Sequence, residues 1–250
     1  MLRVVCLVFA LVFAAAPAAA EKPLTVFAAA SLKEALEEIG AAFSDASGHE
    51  VVYSFSGTGA LARQVEAGAP ADVFVAADNA WMTYVAERGA VVKETVKPIA
   101  GNTLVIVGPE GSSPLELTPQ SVLDRLEGSR MAIADPDTVP AGRYGQSSLI
   151  SLGLLQVVGD RLAPMENVRI ALGAVARGDT LLGLVYATDA RIEPNVSVVA
   201  ELPKDSHPPI SYPAALSSSA SHPAAADYLA FLSGPKAQEI LRSFGFVFDN

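Results

Sequence analysis

Short apolar runs alternate along this chain with stretches whose apolar residues recur every three or four positions. Leu24-Thr25-Val26-Phe27 is followed by Leu32, Leu36, Ile39 and Phe43, then by Val51-Val52-Tyr53 and Val73-Phe74-Val75. A short continuous apolar run reads as a strand buried on both faces, and the wider spacing reads as the inward stripe of a helix. The rhythm returns in Thr103-Leu104-Val105-Ile106-Val107, Met131-Ala132-Ile133-Ala134, Leu181-Leu182-Gly183-Leu184-Val185 and Val196-Ser197-Val198-Val199. The pattern predicts an α/β protein with helices packed on largely parallel sheets.

Two proline-bearing stretches interrupt it. Residues 96–103 hold Pro98 and Gly101, and residues 202–213 hold Pro203, Pro208, Pro209 and Pro213. Read as crossings, they divide the chain into one lobe of residues 21–99 with 211–250 and another of residues 100–210. Two connections between lobes suit hinge closure over a cleft. The last segment predicts a helix over 223–232, a stop and restart at Ser233-Gly234-Pro235, and a helix over 237–244.

Residues 1–20 read as a secretory leader, with Arg3, an apolar run over 4–16, and Ala18-Ala19-Ala20 before Glu21. The run is shorter than a membrane span requires, so cleavage and export to the periplasm are expected. The single cysteine, Cys6, lies inside this leader, which leaves the exported chain without a disulfide. Loss of Arg3, the leader's only charged residue, takes the formal charge from −10 to −11. An acidic protein lacks the basic surface through which nucleic acid is bound, and no nucleic-acid partner is expected. Any anion it recognises must be held by local dipoles.

Several turns offer such dipoles. Ser31, after Ala28-Ala29-Ala30, opens an S-x-x-E pattern with Glu34, which serves a helix cap or a ligand equally well. In Ser56-Gly57-Thr58-Gly59, Thr58 is a cap or a donor, and no Gly-Lys-Ser/Thr follows to make a phosphate loop. Pro140-Ala141-Gly142 reads as a helix start with free amides, beside an Arg143 that faces solvent or an acid. Asn167 caps a helix predicted over 168–177 and leaves the Val168 amide free, while Tyr186 ends an apolar strand and reads as core or as donor. Together these are uncharged donors, the equipment for an oxyanion.

Enzyme chemistry finds little support. There is no G-x-S-x-G elbow and no H-E-x-x-H, and His49, His207 and His222 are scattered. The anion is left open, with sulfate or an organic acid among the candidates, and an exported α/β enzyme is the remaining alternative.

Phe27-Ala28-Ala29-Ala30-Ser31-Leu32, Leu61-Ala62-Arg63-Gln64, Glu66-Ala67-Gly68-Ala69-Pro70-Ala71-Asp72 and Ala77-Asp78 resemble periplasmic molybdate-binding proteins. So do Asp135-Pro136, Val139-Pro140-Ala141-Gly142, Asn167-Val168-Arg169, Val185-Tyr186, Asp205-Ser206-His207 and Tyr212-Pro213, in that order. The resemblance implies a two-lobed type II periplasmic binding fold, α/β in each lobe, with the ligand cleft between them. It implies a monomer with no enzymatic activity and no cofactor, binding molybdate or tungstate for the membrane permease subunits of an ATP-driven importer. It places the ligand positions on Ser31, Thr58, Ala141, Val168 and Tyr186, with Ser56 sharing or replacing the role of Thr58. All five are donors, which disfavours phosphate unless an acceptor such as Asp189 faces the site.

Overall fold

The computed structural model describes residues 22–248, so the expected leader over residues 1–20 lies outside the described residues. The chain begins β1 (Leu24–Ala29), α1 (Lys33–Ser47), β2 (Val51–Ser56), α2 (Thr58–Glu66), β3 (Val73–Val75), α3 (Asn79–Glu87) and β4 (Lys97–Gly101). It continues β5 (Leu104–Pro109), α4 (Pro119–Leu126), β6 (Met131–Ala134), α5 (Pro140–Ser151), α6 (Leu155–Val158), β7 (Leu162–Met165), α7 (Val168–Ala176), β8 (Leu182–Tyr186), α8 (Ala187–Ile192) and β9 (Val196–Glu201). It ends with β10 (Ser211–Leu216), α9 (Ala225–Leu232) and α10 (Pro235–Ser243).

The strands form two five-stranded sheets, ordered β2-β1-β3-β10-β4 and β7-β6-β8-β5-β9. In the first, β1 runs parallel to β2 and β3, and β10 lies antiparallel between β3 and β4. In the second, β6 runs parallel to β7 and β8, while β5 is antiparallel to β8 and β9. Each sheet thus has a parallel half, whose βα turns all open at the same edge.

Helices pack on both faces of the first sheet, which is why its central strands β1 and β3 are buried almost throughout rather than alternately. Leu36, Ile39 and Phe43 of α1 pack on one face with Leu24 and Val26, and Phe27, Leu61, Phe74, Trp81 and Val85 fill the other. Gly48 ends α1 in the left-handed conformation, φ 78°, its amide donating to Ser44 O at 2.8 Å. Only a residue without Cβ adopts that cap at low cost.

Three strands, β4, β7 and β10, are not evident in the apolar pattern, and two of them correct the expected crossings. The crossing drawn at residue 99 falls inside β4, whose pairing with β10 keeps the chain in the first sheet through Gly101. The stretch 202–213, read as a connection, already contains the start of β10. Proline cannot donate to a ladder and is expected at edges or bulges. Pro213 is accommodated in mid-sheet because the register with β4 shifts between Tyr212 and Pro213, and its carbonyl still accepts from Ala76 at 2.9 Å.

Candidate functional site

The five candidate donors all follow or end parallel strands: Ser31 after β1, Thr58 after β2, Ala141 after β6, Val168 after β7, and Tyr186 at the end of β8. In open α/β sheets that carboxyl edge is where ligands bind. Here the edges of the two sheets face each other, and all five residues line one cavity with Ser56, Gly57 and Asn167. It is a small cavity, about 10 Å³ in volume. Small-molecule sites usually begin near ~300 Å³, so this cavity suits a solute of a few atoms. None of its lining residues is charged.

Each donor is held by its local structure. Ser31 sits in a 3₁₀ turn without capping the following helix, so the expected S-x-x-E box does not form. Glu34 reaches Arg169 instead, and Ser31 Oγ lies 3.2 Å from Tyr212 Oη. Thr58 opens α2, and its Oγ1 accepts from the Ala77 amide at 3.2 Å, leaving the hydroxyl proton uncommitted. Pro140 begins α5, and the helical ladder starts only with Arg143 N–H to Val139 O, so the Ala141 and Gly142 amides precede it. Asn167 caps α7 as expected: its Oδ1 accepts from the amides of Arg169 and Ile170 and leaves that of Val168.

Tyr186 is 1 % exposed, and its Oη has no hydrogen-bond partner among the described residues. A hydroxyl buried without a partner costs free energy that a ligand can recover. Burial, with Tyr212 and Tyr144 nearby, pushes its pKa well above the ordinary tyrosine value, so it keeps its proton to donate.

Charged residues surround the cavity without entering it. Arg169 donates to Glu34 of α1 at 2.7 and 2.9 Å, to Ser31 O at 3.3 Å, and to Asp189 of α8 at 2.5 Å. Arg143 donates to Asp78 at 3.0 Å, and Trp81 Nε1 donates to Thr138 O at 3.0 Å. All of these bonds except that of Arg169 with Asp189 run between segments of the first sheet's half of the molecule and segments of the second's. Asp189, the acceptor the sequence offered, is committed elsewhere: one oxygen takes Arg169 and the other the Tyr186 amide at 3.2 Å. Burial pushes its pKa up to about 6 against the opposing pull of Arg169.

Residues 24–247 match the family model described as bacterial extracellular solute-binding protein. The chain belongs to that family. This solute-binding protein is 41 % identical to the molybdate-binding protein ModA of Escherichia coli over 91 % of its own length and 90 % of the relative's. It is 39 % identical to the ModA of Haemophilus influenzae, over 91 % of each. Among solved structures it superposes on the periplasmic molybdate-binding protein of Azotobacter vinelandii with a TM-score of 0.78 at 25 % identity, covering 91 % of this chain and 100 % of the other.

Sequence reasoning missed the supports of this solute-binding protein's site rather than its lining. Tyr212 and Asn102 stand behind Ser31, and Arg169 reaches Glu34 and Ser31 O; Tyr212 and Arg169 lie in segments that carry the family resemblance, but no local pattern gave any of the three a role at the site. Their partners are 65 to 181 positions away in several cases, such as Ser31 with Tyr212 and Asp78 with Arg143.

Proposed function

We propose that this protein captures molybdate, and tungstate with it, in the periplasm and delivers it to the membrane permease subunits of an ATP-driven importer. Ser31 and Thr58 donate from the lobe of the first sheet, and Ala141, Val168 and Tyr186 from the lobe of the second. The moving bodies are residues 22–101 with 211–248, and residues 104–201. The protein acts as a monomer, since one chain supplies donors from both sides, and it reaches the periplasm by losing its leader.

One observation carries the reading: Tyr186 Oη, in a few-atom cavity lined by four other proposed uncharged donors, is buried without a partner among the described residues. A fully deprotonated tetrahedral dianion accepts at every oxygen, so donors alone satisfy it. Charge-assisted bonds contribute about 1.5 to 3 kcal/mol each, so five outweigh the cost of desolvation and closure. The names of the relatives and of the Azotobacter vinelandii structure support molybdate as the anion.

Calorimetric titration with molybdate, tungstate, sulfate and phosphate tests the proposal. The expected result is tight one-to-one binding of the first two, with sulfate and phosphate weaker by about a hundredfold or more, about 2.7 kcal/mol. Preference for sulfate would replace the named ligand. Absence of binding by all four would end the oxyanion reading.

A further inference from the structure

Behind Ser31 lies a chain of side chains that does not touch the cavity. Asn102, at the crossing between β4 and β5, is buried, and its orientation is set by the Thr103 amide, which donates to Oδ1 at 2.9 Å. Its Nδ2 then has two protons to give. One goes to Thr188 Oγ1 at 2.8 Å, and the other to Tyr212 Oη at 3.1 Å. Tyr212 is fully buried, and its hydroxyl has one further partner, Ser31 Oγ at 3.2 Å.

Only one direction of protons leaves the fully buried Tyr212 hydroxyl satisfied, because the one proton left over then falls at the cavity lining rather than behind it. If Ser31 donated to Tyr212, the tyrosine would accept twice and its own buried proton would be left without an acceptor. With Asn102 donating to Tyr212 and Tyr212 donating to Ser31, each bond is made, and one lone pair of Ser31 is occupied. The Ser31 proton is then left to point into the cavity.

We propose that Asn102 and Tyr212 are positioning residues that fix Ser31 as a donor and so bias the site toward anions carrying no proton. The proposal rests on the oxyanion reading and adds the source of its discrimination. Phosphate near neutral pH retains a proton that needs an acceptor, and at Ser31 it meets another proton instead. The chain also ties the selection to the lobes, because Thr188 belongs to α8 beside the second sheet, whereas Tyr212 and Ser31 belong to the first. Bonds in such a series polarise one another, so the Ser31 proton is a stronger donor than that of an isolated serine.

The test is a double-mutant cycle on the full protein, titrated with molybdate and with phosphate at pH 7. Tyr212→Phe keeps the ring packed between Tyr186 and Phe246 and removes only the hydroxyl. It is expected to weaken molybdate about tenfold, to leave phosphate unchanged or tighter, and to have less than about a twofold effect once Ser31→Ala is present. Asn102→Ala, the second route to the same cycle if Tyr212→Phe does not fold, is expected to weaken molybdate about threefold and likewise only when Ser31 is intact. An equal loss in both backgrounds, or an unchanged molybdate-to-phosphate ratio, would overturn the relay while leaving molybdate capture in place. If the unmodified protein binds neither anion, the functional reading falls and takes the relay with it, a result visible before any variant is made.

Discussion

At the scale of single residues, the proposed site works by leaving donors unsatisfied. Tyr186 shows the trade clearly, because its hydroxyl is buried with no partner among the described residues. Tyr186→Phe is therefore expected to move binding and stability in different directions. Molybdate affinity should fall by about tenfold to a hundredfold, matching the loss of one bond to a charged group. The unliganded variant should unfold at a urea concentration no lower than the parent, since no native hydrogen bond is lost. Asn167→Ala should behave otherwise: removal of the cap on α7 should cost about 1 kcal/mol in urea unfolding and also weaken binding, because the same cap orients the Val168 amide. Asp189 supplies a pH signature. Its folded pKa of about 6 lies above an unfolded value near 3.9, so between those limits the folded state binds more protons and stability falls as pH rises. Compared by urea unfolding with Asp189→Asn, the parent should lose relative stability from about pH 4 to 6 and run parallel above pH 7. Glu34 contributes the opposite slope, confined to acid pH: burial raises its pKa, but the bonds and charge of Arg169 outweigh that and hold it below the ordinary value of 4.5.

At the scale of elements, helix starts and the glycines beside them decide how closely the two sheets approach. A Cβ on Gly59 would stand 2.4 Å from Thr138 O and 2.6 Å from the Trp81 ring, and one on Gly57 would stand 2.6 Å from Glu166 O. Thr138 and Glu166 belong to the loops before α5 and α7, on the second sheet's side of the cavity, so these glycines leave the space those loops occupy. Gly57→Ala is expected to leave the helical content of the far-ultraviolet spectrum unchanged and to weaken molybdate by about tenfold or more, because the clash is with backbone that cannot step aside. Trp81, the only tryptophan, reports the same event. Its indole donates across the cavity to Thr138 O, so its emission should shift on binding in the parent and shift less in Gly57→Ala.

At the scale of the whole molecule, the net charge of −10 opposes the approach of a dianion, and the interior compensates without a cation in the lining. Equilibrium affinity should then respond weakly to salt, changing by less than about threefold between about 0.05 and 0.5 M, because buried contacts are poorly screened. The association rate should rise over the same range as the repulsive field is damped, and stopped-flow measurement of Trp81 emission would show it. A site built on surface lysines or arginines would give the reverse trend in both.

The sequence by itself determined the local events. Seven strands, the start of α7 at Asn167 and the proline at the start of α5 were legible because apolar runs, caps and proline act over a few residues. The turns on which Ser31, Thr58, Ala141, Val168 and Tyr186 stand were legible as well, each at a strand-to-helix junction. What tertiary structure alone decided is where those turns meet and what stands behind them. β10 was hidden because Pro213 argues against a central strand, and only the shifted register beside β4 makes room for it. Ser31 looked like a capping serine with Glu34, yet Arg169, more than 130 positions away, takes the glutamate, and Tyr212 engages the serine hydroxyl. Local patterns name the groups that can donate; the packing of distant segments decides which of them are left free to do so, because every nearer partner has already been claimed.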